Sequence, residues 1–295
     1  MKIRELISSR RAPFWSLEFF PPKERENWPK FFSTVERLKA LNPLFASVTY
    51  GAGGSTQDAT LDIAQHIKNV LGIEPLVHLT CMGATRQSLS AYLRKLTDAG
   101  LENILALRGD PPKDSGGDPP LSDFKYASDL VRFVRENFPT CVIAVAGYPS
   151  AHAESSSFQM DLEYTKLKIR SGVDLLITQL FFDVREYFEF VDRLRGMGVQ
   201  IPLLPGILPI QSMSSLRRIL SLCDAKIPGK LYLALEEAEK KGGEEALREV
   251  GINFAVDQIC RLLDEGAPGI HLYTMNRASM CLRIAEDVKA RGYKL

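Results

Sequence analysis

Glu18 is the residue of this sequence with the clearest potential for chemistry. It stands in the run FWSLEFFPP (14–22), among four aromatic rings and just before two prolines that end a strand. Burial in apolar surroundings disfavours the charged form of a carboxyl group, so we expect a raised pKa and a role as general acid. The alternative is a strand-end glutamate that reaches solvent or pairs with Lys23.

A second candidate group follows the apolar run 104–107, in the segment RGDPP (108–112). Gly109 allows the backbone to approach a flat ligand closely, and the two prolines fix the loop. Arg108 can bind phosphate or carboxylate as a planar fork, and Asp110 can accept hydrogen bonds from the edge of a ring. The alternative is that Arg108 and Asp110 pair with each other.

Three further sets of polar residues follow predicted strands. His78 shares a strand face with Thr80, which favours hydrogen bonding to a cofactor over the alternative of a satisfied core histidine. No metal site is predicted, because the four histidines show no ligand spacing. Tyr148 and His152, with Asp161 and Lys168 on one face of the next helix, form a polar cluster in which Lys168 is a phosphate partner or a solvated lysine.

Gln179 and a glycine-rich segment complete the candidates. Gln179 stands between apolar residues and must find hydrogen-bond partners, either at the edge of a ligand ring or in the neighbouring backbone. The segment GAGGST (51–56) follows a strand and opens a helix, where bare N–H groups suit an anion. It lacks the P-loop lysine, so a simple glycine-rich turn is an equal alternative.

Short apolar runs alternate with segments of helical period along the whole chain, which predicts parallel βα units. The predicted strands are 14–19, 44–50, 75–80, 103–107, 142–147, 175–180, 202–205 and 269–273, and predicted helices are 28–41, 56–71, 87–99, 126–137, 158–171 and 184–197. Eight such units predict an α/β fold, the TIM (β/α)8 barrel, as one domain over 1–295. An open doubly wound sheet is disfavoured because no Gly-x-Gly-x-x-Gly turn follows a strand.

The barrel would gather the candidate residues, because parallel strands end on the same face. Extra helices are expected over 227–249, between predicted strands seven and eight, and a long loop over 110–123. The polar residues at the strand ends are Glu18, Thr49, His78, Arg108, Asp110, Tyr148, Gln179, Asn276 and Arg277.

Composition restricts the function classes. The chain has 295 residues, 45% of them hydrophobic and 25% charged, with a formal net charge of +1. That balance favours a soluble globular protein and gives no field that would attract nucleic acid or a membrane. Five dispersed cysteines indicate reduced thiols in a cytoplasm. The segment 1–11 is expected to form a short amphipathic helix on the barrel exterior.

Together these segments resemble the methylenetetrahydrofolate reductase family, whose members are flavin-containing TIM barrels. The matching stretches are LEFFPP (17–22), SVTYG (47–51), HLTC (78–81), LRGD (107–110), AGYP (146–149), ITQLFF (177–182), PGILP (205–209) and LYTMNR (272–277). They follow the family order over nearly the whole chain. The resemblance covers the catalytic barrel alone, so control by adenosylmethionine is not expected.

The resemblance implies an oxidoreductase of one-carbon metabolism and methionine supply, which reduces 5,10-methylenetetrahydrofolate to 5-methyltetrahydrofolate through FAD, with hydride from NADH or NADPH. Glu18 would be the general acid that opens the methylene bridge, with Asp110 as the second catalytic residue. The folate would contact Asp110, Gln179 and Arg277. The residues at flavin-contacting positions are Thr49, His78, Arg108, Gly109, Asp110, Tyr126, Ala127, Tyr148, His152, Asp161 and Lys168.

Three departures from the family pattern leave the electron donor open. The stretch 152–155 reads HAES where relatives often have HPEA, Leu167 occupies a position that is basic in some members, and Ile219 replaces an aromatic residue that packs on the nicotinamide. A homo-oligomer or an electron-donor protein partner stays open. The alternative functions are a flavin-free folate methyltransferase and a folate- or flavin-binding subunit of an electron-transfer complex.

Overall fold

Within the described residues, nine parallel strands form one sheet that curls into a nearly closed barrel, which confirms the predicted fold, although eight strands were predicted. The computed structural model describes residues 1–49, 57–110, 122–152, 154–223 and 225–295. The strands are β1 Trp15–Phe19, β2 Phe45–Val48, β3 Pro75–Thr80, β4 Asn103–Leu107, β5 Val142–Gly147, β6 Leu175–Thr178, β7 Leu203–Leu204, β8 Gly206–Ile207 and β9 Ile270–Tyr273. Their order in the sheet is β7-β6-β5-β4-β3-β2-β1-β9-β8.

Helices connect most of these strands and pack around the barrel or across its ends. They are α1 Ile3–Ser8, α2 Trp28–Leu38, α3 Gln57–Asn69, α4 Arg86–Asp98, α5 Ala127–Asn137, α6 Phe158–Arg170, α7 Val184–Gly196, α8 Met213–Cys223, α9 Gly229–Asp264 and α10 Ala278–Ala290. Side-chain caps fix several starts: Ser157 accepts from the Met160 N–H before α6, and Asp183 accepts from the Arg185 N–H before α7. None of the helices in the described ranges is long and apolar enough to cross a membrane.

The predicted strand 202–205 is two short strands, because Pro205 interrupts it. Leu203 pairs with Leu176 of β6 on one side, and Gly206 pairs with His271 of β9 on the other. Proline has no N–H for a ladder, but its carbonyl still accepts a hydrogen bond from the His271 N–H at 2.9 Å. The broken strand therefore joins the two edges of the sheet and closes the barrel.

The barrel interior is filled by alternate strand residues and sealed at one end by α1. Phe45, Leu76 and Leu105 belong to this inner cluster, and Ile3 of α1 is fully buried in it. The Ile3 N–H also donates to Asn103 Oδ1 at 2.9 Å, at the start of β4. The prediction that this helix lies on the exterior was wrong: its apolar side closes the end of the barrel where the strands begin.

The extra helical material predicted over 227–249 is present as the first part of α9, and α8 precedes it in the chain. The helix α9 is interrupted at Gly242 and Gly243, which have non-helical dihedral angles. Together α8 and α9 enclose an apolar cluster with residues that follow β6 and β8, among them Leu180, Phe182 and Leu208. These helices therefore lie at the end of the barrel where the strands finish. The glycine-rich segment 51–56 and most of the loop 110–123 lie outside the described residues.

Candidate active site

Glu18 lies inside the barrel, where β1, β2, β3 and β9 bring polar side chains together. Ser47 Oγ donates to Glu18 Oε2 at 3.1 Å. The Nε2 atoms of His78 and His271 lie 3.3 Å and 3.6 Å from the same oxygen. His271 is in turn linked through Nδ1 to Ser16 Oγ at 2.8 Å. We call Ser16, Glu18, Ser47, His78 and His271 the acid cluster.

Strand register explains why the acid cluster forms. Glu18 is paired with Ser47 on β2 and with Tyr273 on β9, and Ser16 is paired with His271. Paired residues of neighbouring strands point to the same side of a sheet, so these side chains all face the interior. All five members of the cluster are buried. The sequence analysis found Glu18 and His78, whereas it missed Ser16, Ser47 and His271.

The expected direction of the Glu18 pKa was wrong. Burial raises the pKa of this carboxyl group, but the imidazoles of His271 and His78 stabilise its charged form more strongly, and the pKa falls to about 2. In the ligand-free chain Glu18 is therefore ionised at neutral pH.

His78 keeps an unused hydrogen-bonding atom. Although His78 Nε2 is buried and close to Glu18, it makes no hydrogen bond of good geometry within the described residues. Buried polar atoms are normally paired, so an unpaired one next to a catalytic candidate indicates a place for a ligand. The predicted cofactor contact at His78 stays a prediction.

A cavity of about 430 Å³ opens between the ends of β4 and β5 and the helices α5 and α6. Its volume is in the range of small-molecule and cofactor sites. Seven of the predicted flavin-contacting residues line it: Arg108, Tyr126, Ala127, Tyr148, His152, Asp161 and Lys168. We call this space the cofactor cavity.

The inner wall of the cofactor cavity carries two buried charges with incomplete partners. Asp161 Oδ2 has no hydrogen-bond partner among the described residues, and burial raises the pKa of this carboxyl group. Burial also lowers the pKa of Lys168 to about 8, although the nearby Asp161 opposes the shift. The Lys168 ammonium donates to the Ala146 carbonyl. A ligand with hydroxyl groups and an anionic phosphate would satisfy both side chains, which fits a flavin nucleotide.

Arg108 pairs with Glu154 and not with Asp110. Its Nη1 and Nη2 donate to the two carboxylate oxygens of Glu154 at 2.6 and 2.8 Å. The ion pair raises the pKa of Arg108 and lowers that of Glu154. Both residues line the cofactor cavity. The Arg108 guanidinium, which was predicted to bind a phosphate or a carboxylate, therefore forms an ion pair with a carboxylate of the same chain.

Tyr148 lines the cofactor cavity as a neutral hydroxyl group. Burial raises its pKa to about 12, with a further contribution from Asp110 and Asp161. Its ring meets that of His152 edge to face, with centroids 4.7 Å apart. The cavity wall therefore offers aromatic surface as well as charge, as expected for a site that holds a flat ring.

The other predicted residues lie near the ends of the strands with fewer contacts. Gly109 has a φ of 84°, and a Cβ there would lie 3.0 Å from Thr80 Cβ, so both conformation and space require glycine. Thr49 is half-buried, and Asp110 is exposed at the edge of the described residues.

Gln179 makes a hydrogen bond within the protein, whereas Arg277 makes no ion pair with the described residues. Gln179 Oε1 accepts the Leu180 N–H at 2.9 Å, which is the alternative predicted for it, and its amide nitrogen donates to no described residue. Arg277 is exposed at the start of α10. Its guanidinium makes no ion pair within the described part of the chain, so it is available to an anionic group.

Comparison with known proteins adds sequence relatives to this geometry. The family model described as methylenetetrahydrofolate reductase matches residues 2–289. "Methylenetetrahydrofolate reductase (NADH) 1" of Arabidopsis thaliana is 38% identical in an alignment of 292 positions that covers 93% of this chain and 48% of the plant protein. The 5,10-methylenetetrahydrofolate reductase of Salmonella typhimurium is 37% identical over 276 residues, 94% of this chain and 90% of the bacterial protein. The chain thus spans about half the length of the plant relatives.

A solved structure shows the same fold at lower sequence identity. It is a protein from Clostridium thermocellum that is described as binding two copies of 5-methyl-5,6,7,8-tetrahydrofolic acid. The TM-score is 0.64 with 17% identity, and the match covers 98% of each chain.

Proposed function

The chain belongs to the methylenetetrahydrofolate reductase family, and on that premise we propose that it reduces 5,10-methylenetetrahydrofolate to 5-methyltetrahydrofolate. Bound FAD would supply the redox chemistry, by taking hydride from a nicotinamide nucleotide and giving it to the folate. The observation that carries the proposal is the acid cluster, in which a buried carboxylate lies within 3.6 Å of two imidazoles. NADH appears in the printed names of the plant relatives, and we keep both nucleotides as candidates.

The reaction needs a proton at one nitrogen of the methylene bridge. Protonation of N10 weakens its bond to the bridging carbon, the bond breaks, and the carbon is left as an iminium on N5. Addition of hydride to this carbon then gives the methyl group. The protein must therefore supply a proton at a defined place in a site protected from water, which is the task of a general acid.

We assign the proton transfer to Glu18 with His78 and His271. Because the pKa of Glu18 is lowered to about 2, the carboxyl group alone does not hold the proton at neutral pH. The imidazole Nε2 atoms lie within 3.6 Å of Glu18 Oε2, so a proton on either ring can pass to the carboxylate and then to the substrate. Ser16 Oγ fixes the orientation of the His271 ring through Nδ1.

The remaining candidates hold the two ligands. Lys168 and Arg108 would donate hydrogen bonds to the phosphates of FAD, and Asp161 would accept a hydrogen bond from one of its hydroxyl groups. The amide nitrogen of Gln179 would donate to the pterin, and Arg277 would pair with the glutamate carboxylates of the folate. Asp110 would stabilise positive charge that develops on the iminium, as a fixed carboxylate near the reacting atoms can do.

The test compares Glu18→Gln with Glu74→Gln, a buried glutamate at the other end of the barrel that pairs with Lys68. Each FAD-loaded variant is reduced with dithionite and mixed anaerobically with 5,10-methylenetetrahydrofolate, and the return of the visible flavin absorbance is followed. Loss of general acid catalysis should slow Glu18→Gln by about 10²–10⁴-fold. Glu74→Gln should keep the wild-type rate. Reoxidation of Glu18→Gln at the wild-type rate would show that the assignment of the acid is wrong.

A further inference from the structure

The turn after β9 makes hydrogen bonds to the backbone at the end of β1 and just beyond it. The Thr274 N–H and Oγ1 donate to the Glu18 carbonyl at 3.2 and 2.6 Å. Two residues further on, the Asn276 side chain binds both backbone groups of Phe20: Oδ1 accepts its N–H at 3.1 Å and Nδ2 donates to its carbonyl at 2.6 Å. We call the pair of hydrogen bonds from Asn276 the Phe20 clamp.

The clamp continues the strand pairing after the backbone ladder has ended. The β1–β9 register runs from Trp15 opposite Ile270 to Glu18 opposite Tyr273 and stops there. A side-chain amide carries one donor and one acceptor, so Asn276 replaces the pairing that a further strand residue would give. The backbone of Phe20 is therefore held on this side although it lies outside the ladder with β9.

The turn adopts a costly backbone conformation in order to make these contacts. Met275 and Asn276 have φ angles of 47° and 55°, two consecutive non-glycine residues in the left-handed region. A non-glycine residue in this region is higher in free energy than one in an ordinary backbone conformation, and it persists only where surrounding contacts stabilise it. Here the Asn276 N–H donates to Thr274 Oγ1 at 3.1 Å, and the Arg277 N–H donates to the Thr274 carbonyl at 2.8 Å. Backbone strain of this kind is concentrated at functional sites.

The place of the clamp decides what it controls. Phe20 is two residues from Glu18, whose carboxylate must stay within hydrogen-bonding reach of Ser47 and close to two imidazoles. Pro21 and Pro22 follow Phe20 and have no N–H groups to pair. Thr274 Oγ1 holds the Glu18 carbonyl itself, Trp28 Nε1 donates to the Pro22 carbonyl at 3.3 Å, and the Asn276 amide fixes the Phe20 backbone between them.

We propose that Asn276 is a positioning residue for the acid cluster, acting through the backbone of Phe20 on the direction of the Glu18 carboxylate. This inference rests on the proposed function of Glu18. It predicts that loss of the clamp slows the proton-dependent step and leaves the cofactor cavity unchanged, because a small misplacement of a reacting group can lower a rate by about 100-fold.

The test uses Asn276→Gly, which removes the amide but tolerates a positive φ. The matched control is Asn42→Gly, the same substitution at an exposed residue with a φ of 48° that precedes β2 at the other end of the barrel. Both FAD-loaded variants, the wild-type chain, Glu18→Gln and the double variant Glu18→Gln/Asn276→Gly are reduced with dithionite. Flavin affinity, thermal midpoint and the rate of reoxidation by 5,10-methylenetetrahydrofolate are measured for each.

A positioning role predicts that Asn276→Gly keeps its flavin affinity within about twofold and reoxidises about 10- to 100-fold more slowly, while Asn42→Gly behaves as the wild type. The double variant should be no slower than Glu18→Gln alone, because residues that act as a unit have non-additive effects. Additive losses in the double variant, or equal loss of flavin binding and rate, would overturn the positioning role. A wild-type chain that the folate fails to reoxidise would overturn the proposed function itself, and this inference with it.

Discussion

Arg108 and Glu154 form a bidentate ion pair at the wall of the cofactor cavity, with N–O distances of 2.6 and 2.8 Å. The Glu154 side chain is 62% exposed, whereas that of Arg108 is 28% exposed. The carboxylate is therefore the more easily displaced partner. An anionic ligand that uses Arg108 must compete with Glu154 or share the guanidinium with it.

Substitution Glu154→Gln is expected to tighten FAD binding. The neutral amide no longer neutralises Arg108, and an ion pair this exposed contributes up to about 1 kcal/mol, so the gain should reach about fivefold in Kd. Quenching of flavin fluorescence on binding measures it. Glu189→Gln, which breaks an exposed pair with Arg193 on α7, serves as the control without effect. Weaker binding by Glu154→Gln would mean that the carboxylate assists the cofactor.

The affinity for FAD is expected to fall as the pH rises above about 8. The pKa of Lys168 in the ligand-free chain is lowered to about 8 by burial. Below this pH the ammonium is charged and can pair with a phosphate, and above it the proton must be recovered on binding. The Kd should therefore be flat below pH 8 and rise toward tenfold per pH unit above it.

Removal of the lysine should abolish that pH dependence. Lys168→Met is expected to bind FAD about 10- to 100-fold more weakly at pH 7, as loss of a charge-assisted hydrogen bond predicts. Lys166→Met, on the same helix but paired with Glu163, should retain the wild-type curve. Fluorescence titrations from pH 6.5 to 9.5 decide the matter. A wild-type slope that persists in Lys168→Met would assign the titration to another group.

Gly206 is expected to be essential for closure of the barrel. A Cβ at this position would lie 2.4 Å from the Thr178 carbonyl oxygen and 2.7 Å from the Tyr273 ring. Gly206→Ala should lower the free energy of unfolding by about 1–3 kcal/mol, because the backbone must move. Gly196→Ala, where nothing lies within 4 Å of the new carbon, should be neutral or stabilising. Urea unfolding compares them, and equal stability of the two variants would contradict the tight seam.

Most of the fold could be predicted from the sequence because each strand carries its own signal. The predicted strands 75–80, 103–107 and 142–147 coincide with β3, β4 and β5, where β-branched and apolar residues are dense. The break at Pro205 and the burial of Ile3 were missed. Both depend on contacts between elements far apart in the chain. The break at Pro205 follows from the closure of the sheet, and the burial of Ile3 follows from the packing of α1 over an apolar end of the barrel.

The candidate site was predicted less completely, since its electrostatics depend on partners far apart in the chain. His271 lies 253 positions from Glu18 in the printed sequence, and only the pairing of β1 with β9 brings the two together. Alternation within β9 could have shown that His271 faces inward, between outward Ile270 and Leu272. Because His271 was not recognised as a neighbour of Glu18, the aromatic residues around Glu18 led to a prediction in the wrong direction for the shift of its pKa.

The most direct test of the account is the visible absorption of the purified chain with FAD, followed without oxygen. NADH and NADPH are added in separate samples, and 5,10-methylenetetrahydrofolate is added after bleaching is complete. The account predicts a bound flavin spectrum that one of the nucleotides bleaches and that the folate then restores, with 5-methyltetrahydrofolate as product. A chain that stays colourless after addition of FAD, or a bleached flavin that the folate fails to restore, would contradict it.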